Sequence, residues 1–252
     1  MARVEHEVLL AGGRRLTEWG TVERSPGSIE TVKRRSVEMW EEASWTTTSW
    51  LGRPIAQLPQ DLVLLQEVMC GQRPGVVVET GLALGGSAVF MSSILSVNGG
   101  GRVISVERDV KDTVRAALSE HPLGAMITIV EGDSTTVATF EAVRALVGKE
   151  TNVMVVLDSD HSRDHVRREL ESYSALVPPG GWLVVFDGQL EWVAELGVRG
   201  ARGADKQWLE DNPLAATREF LRAHPEFSPS ERNLRLGATF APHGFLRRSA
   251  DV

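Results

Sequence analysis

A chain of 252 residues, 24% charged and 42% hydrophobic, can bury a full core and sits at the upper end of what one domain holds. Its net charge of -7 argues against nucleic acid as the main partner, because binding a phosphate backbone needs a basic surface. The single cysteine excludes an intrachain disulfide framework, and no apolar run approaches the roughly 20 residues of a membrane span.

The opening residues, MARVEHEVLL, put acids where a secretion signal would continue its apolar core, so the chain reads as cytoplasmic. Residues 1–27 read as irregular and close on the turn signal Ser25-Pro26-Gly27. From Ser28 the apolar positions Ile29, Val32, Met39, Trp40 and Ala43 predict a helix. Residues 45–61 hold two tryptophans, a Thr/Ser run and two prolines, which exclude regular structure through most of the stretch. This segment reads either as a wall or lid of a binding site or as an extension covering one sheet face. Pro59 suits the first turn of a helix carrying Leu62, Leu65, Val68 and Met69, and Cys70 reads as packing within it.

Residues 76–79, three valines and Glu79, predict a buried parallel strand that runs into a glycine-rich turn, TGLALGGS. Gly81, Gly85 and Gly86 let the backbone fold closely over whatever lies at the strand's carboxyl end. Ser87 is placed to cap a helix over 87–97. A strand, a glycine turn and a helix form the front half of a nucleotide-binding unit, with the ligand outside the strand's carboxyl end. The spacing is not G-x-G-x-x-G, and Glu79 would repel a pyrophosphate at the helix terminus. A carboxylate there suits a cationic ligand, such as the amino-acid end of S-adenosylmethionine. A plain turn with glycines for packing is the alternative.

Strands then alternate with helices: strands over 102–107, 126–131, 153–158 and 182–187, helices over 111–120, 135–147 and 163–176. This alternation predicts an α/β fold with a mostly parallel sheet. Asn212-Pro213 opens a last helix, and 235–240, 241–244 and 245–247 read as a closing antiparallel hairpin. Each parallel strand ends in acid: Glu79, Glu107, Glu131-Gly132-Asp133-Ser134, Asp158-Ser159-Asp160-His161 and Asp187. Some of these residues serve as helix caps, but together they predict a functional rim. Glu107 falls where a ribose diol is held in this architecture, and Asp133-Ser134 where an adenine edge would reach. Asp158, Asp160 and Asp187 end neighbouring strands spaced about 4.8 Å apart, so their carboxylates can converge on one hard cation such as Mg²⁺. Asp160 or His161 could accept a proton from a hydroxyl nucleophile. Asp164 and His165 read as solvated. The glycine-rich stretch 189–207, with Trp192, Gly197, Gly200 and Gly203, reads as a mobile lid or as an ordinary loop.

Several of these stretches resemble the cephalosporin hydroxylase/rhamnosyl O-methyltransferase family. They are WLGRPIAQLPQDL at 50–62, VETGLALGGS at 78–87, VLDSDH at 156–161, GGWLVVFD at 180–187, NPLAA at 212–216 and PHGFL at 242–246. The resemblance implies a Rossmann-like methyltransferase fold with a seven-stranded sheet and an N-terminal helical extension. It implies residues 1–72 as a helical extension or cap and 73–252 as an S-adenosylmethionine-binding methyltransferase domain. By the same resemblance Glu79, Gly81, Gly85, Ser87, Glu107, Asp133, Ser134 and Asp158 hold the cofactor. Asp158 and Asp187 hold Mg²⁺, and Asp160 or His161 acts as base. Where some relatives carry Glu-Asp at the fifth strand's end, this chain has Phe186-Asp187, with Glu191 as a substitute third ligand. The implied activity is methylation of a hydroxyl on a sugar or other small-molecule natural product, as in antibiotic and glycolipid pathways. The alternative is an accessory S-adenosylmethionine-binding subunit that supports a hydroxylation or rearrangement. An N-terminal extension of this kind can also mediate homo-oligomerisation.

Overall fold

The computed structural model describes residues 29–197 and 207–250, together with two short paired segments, Val8–Leu9 and Arg15–Leu16. Apart from those pairs, the stretch predicted as irregular at 1–27 lies outside the described residues, as do Gly200 and Gly203.

Five strands rich in β-branched residues build the sheet: β1 (Val76–Thr80), β2 (Arg102–Glu107), β3 (Ile127–Glu131), β4 (Val153–Leu157) and β5 (Trp182–Val185). Two more follow, β6 (Phe227–Pro229) and β7 (Phe245–Arg248). The seven lie in the order β6-β7-β5-β4-β1-β2-β3. Strands β1 to β5 pair in parallel, and β7 runs antiparallel to both β5 and β6. The expected closing antiparallel pair therefore exists, but its first strand is Phe227–Pro229. Residues 232–236 form a short 3-10 turn instead, and Asp61 accepts from the Thr239 hydroxyl and the Phe240 N–H, which takes this stretch out of the sheet.

Helices cover both faces: α1 (Ile29–Glu41), α2 (Pro59–Gln72), α3 (Gly86–Val97), α4 (Asp112–Ser119), α5 (Val137–Val147), α6 (Arg163–Tyr173), α7 (Leu190–Leu196) and α8 (Pro213–Ala223). Alternation along the strands splits the core into two layers. Val77, Val103, Met154 and Val184 face α2, α3 and α4; Val76, Val78, Val155 and Leu183 face α5, α6 and α8. Each fully buried aliphatic side chain contributes roughly 1.5–3 kcal/mol. This two-sided burial explains why β1, β4 and β5 read as continuous apolar runs. Pro59 occupies the first turn of α2, as its fixed φ favours. Among the described residues no helix is long and apolar enough to cross a membrane.

A third packing centre ties the N-terminal region to α7. Val32 and Val37 of α1 meet Trp192 and Val193 of α7, with Trp40 and Trp208 alongside. Trp192 is buried, so the first part of the predicted lid is a packed helix. Residues 45–61 are mostly irregular, as expected, with one small ladder pairing Ser49–Trp50 to Arg53–Pro54.

Strand order reverses between β1 and β4: β2 and β3 extend the sheet to one side of β1, and β4 and β5 extend it to the other. Ligands in open α/β sheets bind in the crevice that such a reversal opens beyond the strands' carboxyl ends.

Candidate active site

The ladders carry the strand-end residues to that crevice in register. Asp158 N–H donates to Thr80 O at 3.0 Å, and Phe186 N–H donates to Leu157 O at 3.0 Å. The residues after β1, β4 and β5 are thereby laid side by side. Gly81, at φ +90°, follows directly, and a Cβ there would collide with the Asp158 carbonyl. Only glycine lets these two strand ends approach so closely.

Asp158, His161 and Asp187 converge, with ligand atoms all within 4.8 Å of one another. His161 Nε2 lies 2.9 Å from Asp187 Oδ2, Gln189 Nε2 donates to Asp187 Oδ1 at 2.9 Å, and Gln57 Nε2 donates to Asp158 Oδ2 at 2.7 Å. Desolvation, reinforced by the Asp187 charge, pushes the Asp158 carboxyl well above the usual carboxylate range. Burial acts the same way on Asp187, but the His161 charge together with hydrogen bonds from His161, Gln189 and Asp158 outweighs it and holds that carboxyl below its ordinary value. Burial pulls His161 down, but the charge and hydrogen bond of Asp187, together with the Asp160 and Glu169 charges, outweigh it and raise the imidazole. Asp187 sits at φ +59°, a left-handed conformation uncommon outside glycine, and its bonds to His161 and Gln189 hold it there. Two carboxylates and an imidazole make a donor set that fits a divalent cation.

The other predicted metal ligand, Glu191, is elsewhere. Both of its oxygens accept from Arg218 Nη1, at 2.9 and 2.7 Å, in an ion pair between α7 and α8. It is absent from the converging cluster, whose third member is His161. Phe186 is buried against Phe245. Asp160 is exposed and spends Oδ1 on the backbone N–H and hydroxyl of Ser162, at 2.9 and 2.5 Å. Those bonds hold its carboxyl low, which leaves it a weaker proton acceptor than His161.

Beside the cluster opens a cavity of about 270 Å³, lined by Trp45, Ile55, Gln57, Gly81, Ser87 and Asp158 among others. Gly86 admits the N-terminal segment here, since a Cβ would collide with the Pro54 carbonyl. Ser87 lines the cavity rather than capping α3; the cap position is Gly85, at φ +80°. Glu79 is fully buried and accepts from Ser105, and burial pushes its carboxyl up to about 7 despite the Ser105 and Ser87 hydroxyls. Glu107 accepts from Ala83 N–H at 3.0 Å and from Arg108 N–H at 2.9 Å, which ties the glycine turn to the end of β2. Asp133 Oδ1 accepts from the backbone and hydroxyl of Thr135, at 2.9 and 2.7 Å, and these bonds lower its carboxyl. The cap of α5 is Thr136.

Ser134 is buried, with its hydroxyl 3.0 Å from His165 Nε2. The same nitrogen lies 3.1 Å from the Ser159 hydroxyl, which donates to the fully buried Glu169 at 2.7 Å. His165 was expected in solvent and is instead 5% exposed, bridging the loop after β3 to the loop after β4. Asp164 does face solvent, paired with Arg167 and Arg168. Residues 45–61, with their two tryptophans, were expected as a wall or lid or as a sheet cover, and Trp45 lines the cavity; sequence reasoning did not single out Gln57. The available signal for Gln57 was a lone amide between apolar Ile55 and Leu58 in a loop bounded by two prolines.

A family model described as rhamnosyl O-methyltransferase/CmcI matches residues 42–249. The rhamnosyl O-methyltransferase of Mycobacterium leprae (strain TN) is 31% identical over 208 residues, covering 81% of this chain and 84% of the relative. That of Mycobacterium tuberculosis (strain H37Rv) is 29% identical, covering 81% and 80%. A solved structure of CmcI with Mg and SAM superposes with a TM-score of 0.56 at 18% identity, covering 84% of each chain, and supports the fold.

Proposed function

Because the chain belongs to the rhamnosyl O-methyltransferase/CmcI family and is an S-adenosylmethionine-dependent O-methyltransferase, we propose that it methylates a hydroxyl of a sugar or similar small natural product with help from a divalent cation. The observation that carries this reading is the Asp158–His161–Asp187 cluster, set beside the glycine-turn cavity at the sheet's switch point. The residues fit both groups: a close-packed turn with acidic surroundings suits a cationic methyl donor, and the converging carboxylates of Asp158 and Asp187 suit a divalent ion.

Gly81, Gly85 and Ser87 would cradle the donor, Glu107 its ribose and Asp133-Ser134 its adenine edge, while Asp158 and Asp187 would hold the cation. When bound, S-adenosylmethionine supplies an electrophilic methyl group. A divalent cation supplies positive charge that makes a neighbouring hydroxyl more acidic. His161 accepts the hydroxyl proton at its other ring nitrogen, Nδ1, while Asp187, bonded at Nε2, orients the ring and stabilises its charged form. Trp45, stacked on Trp40 at 5.5 Å between ring centres, offers an apolar face for a sugar ring near the cavity. In this reading residues 1–72 cap the methyl-transfer domain 73–252, and the enzyme works in the cytoplasm on small molecules rather than nucleic acid.

The test is S-adenosylhomocysteine release on incubation with S-adenosylmethionine and a panel of hydroxylated sugars, with Mg²⁺ or with chelator. Metal-dependent release with at least one sugar is expected; full turnover in chelator would remove the cation from the mechanism. Asp187→Asn should lower turnover about a hundredfold and leave S-adenosylhomocysteine affinity within about threefold, because its role is confined to the reacting hydroxyl. An equal loss in both would place Asp187 in donor binding instead.

A further inference from the structure

Gln57 has no role in the catalytic scheme above, yet it is 4% exposed and lines the cavity at its junction with the cation cluster. Gln57 Nε2 donates to Asp158 Oδ2 at 2.7 Å, which leaves Oε1 as the amide's other polar atom. Among the described residues Oε1 is buried and has no hydrogen-bond partner. Leaving a buried amide oxygen unpaired costs roughly 1–3 kcal/mol, and on a residue that lines a binding cavity such an atom marks the place of a missing donor. Asp158 is the ionisable side chain that lines the cavity, with Glu79 buried on the neighbouring strand, and no lysine or arginine is among the lining residues. A donor that also carries positive charge satisfies both the orphaned oxygen and the acidic surroundings.

We propose that Gln57 is a specificity-determining residue whose Oε1 accepts a hydrogen bond from the α-ammonium group of the methyl donor, while its Nε2 keeps Asp158 in place. The inference rests on the methyl-donor reading of the cavity and adds one claim: the N-terminal segment, not only the sheet, selects the amino-acid end of the ligand. Gln57 lies between Pro54 and Pro59, so it reaches the cavity only when this segment is docked across Gly86. Donor recognition and docking of the segment are thereby one event.

Calorimetric titration of the full chain tests this with three probes: S-adenosylhomocysteine, its analogue lacking the α-amino group, and 5′-methylthioadenosine, which lacks the whole amino-acid end. Wild-type protein should bind S-adenosylhomocysteine about tenfold or more tightly than the deaminated analogue, as expected for a hydrogen bond to a charged group. Gln57→Met, similar in length but without the amide, should erase that preference and leave 5′-methylthioadenosine affinity within about twofold. Equal weakening of all three probes would make Gln57 a structural residue and overturn the proposal. So would a wild-type protein indifferent to the α-amino group, whatever the variant does. If wild-type protein binds none of the three, the methyl-donor reading itself fails, an outcome distinct from a failure confined to Gln57.

Discussion

The acids at the strand ends show how far position, rather than residue type, decides a carboxylate's role. Asp160 and Asp158 are two residues apart on one loop, yet the first is an exposed turn-former and the second sits against Asp187 in the crevice. Their charge states diverge accordingly, Asp160 held low by Ser162 and Asp158 pushed high by desolvation and its neighbour. Asp61 is a third case. It is buried in the first turn of α2 and accepts from Thr239 Oγ1 at 2.6 Å and Phe240 N–H at 2.7 Å. Burial still wins over those bonds and, with a smaller push from the Asp187 charge, raises its carboxyl to about 7. A carboxyl that keeps its proton longer when folded than when unfolded makes the fold less stable as pH rises, here from about 4 to about 7, with no further loss above. The pH-independent variant Asp61→Asn should therefore gain on wild type through that window by up to about 1.4 kcal/mol per pH unit. Denaturant titrations of both proteins at several pH values measure it; a gap that stays constant would show that Asp61 is ionised throughout.

At the scale of elements, α6 does more than cover the sheet. His165, Glu169 and Tyr173 recur at helical spacing on one face. They hold the loop after β3, through the Ser134 hydroxyl and carbonyl, and the loop after β4, through Ser159. His165→Phe would leave two serine hydroxyls without their ring partner, and a loss of roughly 1–3 kcal/mol in chemical denaturation is expected. A variant as stable as wild type would mean the serines find other partners. This role was not legible in the sequence. A histidine in a helix's first turn followed by arginines reads as solvated, and only the tertiary packing of α6 over two loops buries it. The strand-and-helix alternation was legible, because two-sided burial writes continuous apolar runs such as 76–78 and 153–156 into the chain. The last antiparallel pair was harder to place. Residues 235–240 have strand-like composition, but Asp61 and Ser36 capture the backbone of Thr239 and Phe240, and the pairing passes to Phe227–Pro229.

Across the whole molecule, the site is a product of topology. The reversal of strand order at β1 and β4 brings a glycine turn and two acidic strand ends together from separate segments of the chain, and the N-terminal segment closes one wall. The acidic rim was visible in the sequence because it recurs strand by strand. The selection within it was not: Glu191 turned to Arg218, and His161 took the third position beside the carboxylates. The helix register of α7 and the left-handed backbone at Asp187 decide that choice, and neither is written in a local pattern.

The most direct test of the account is calorimetric titration of the wild-type chain with S-adenosylhomocysteine, in Mg²⁺ and in chelator. Binding near micromolar, about -8 kcal/mol, is predicted in both conditions, since the glycine-turn cavity and the cation cluster share only Asp158. No binding in either condition would contradict the claim that this switch-point crevice is a methyl-donor site.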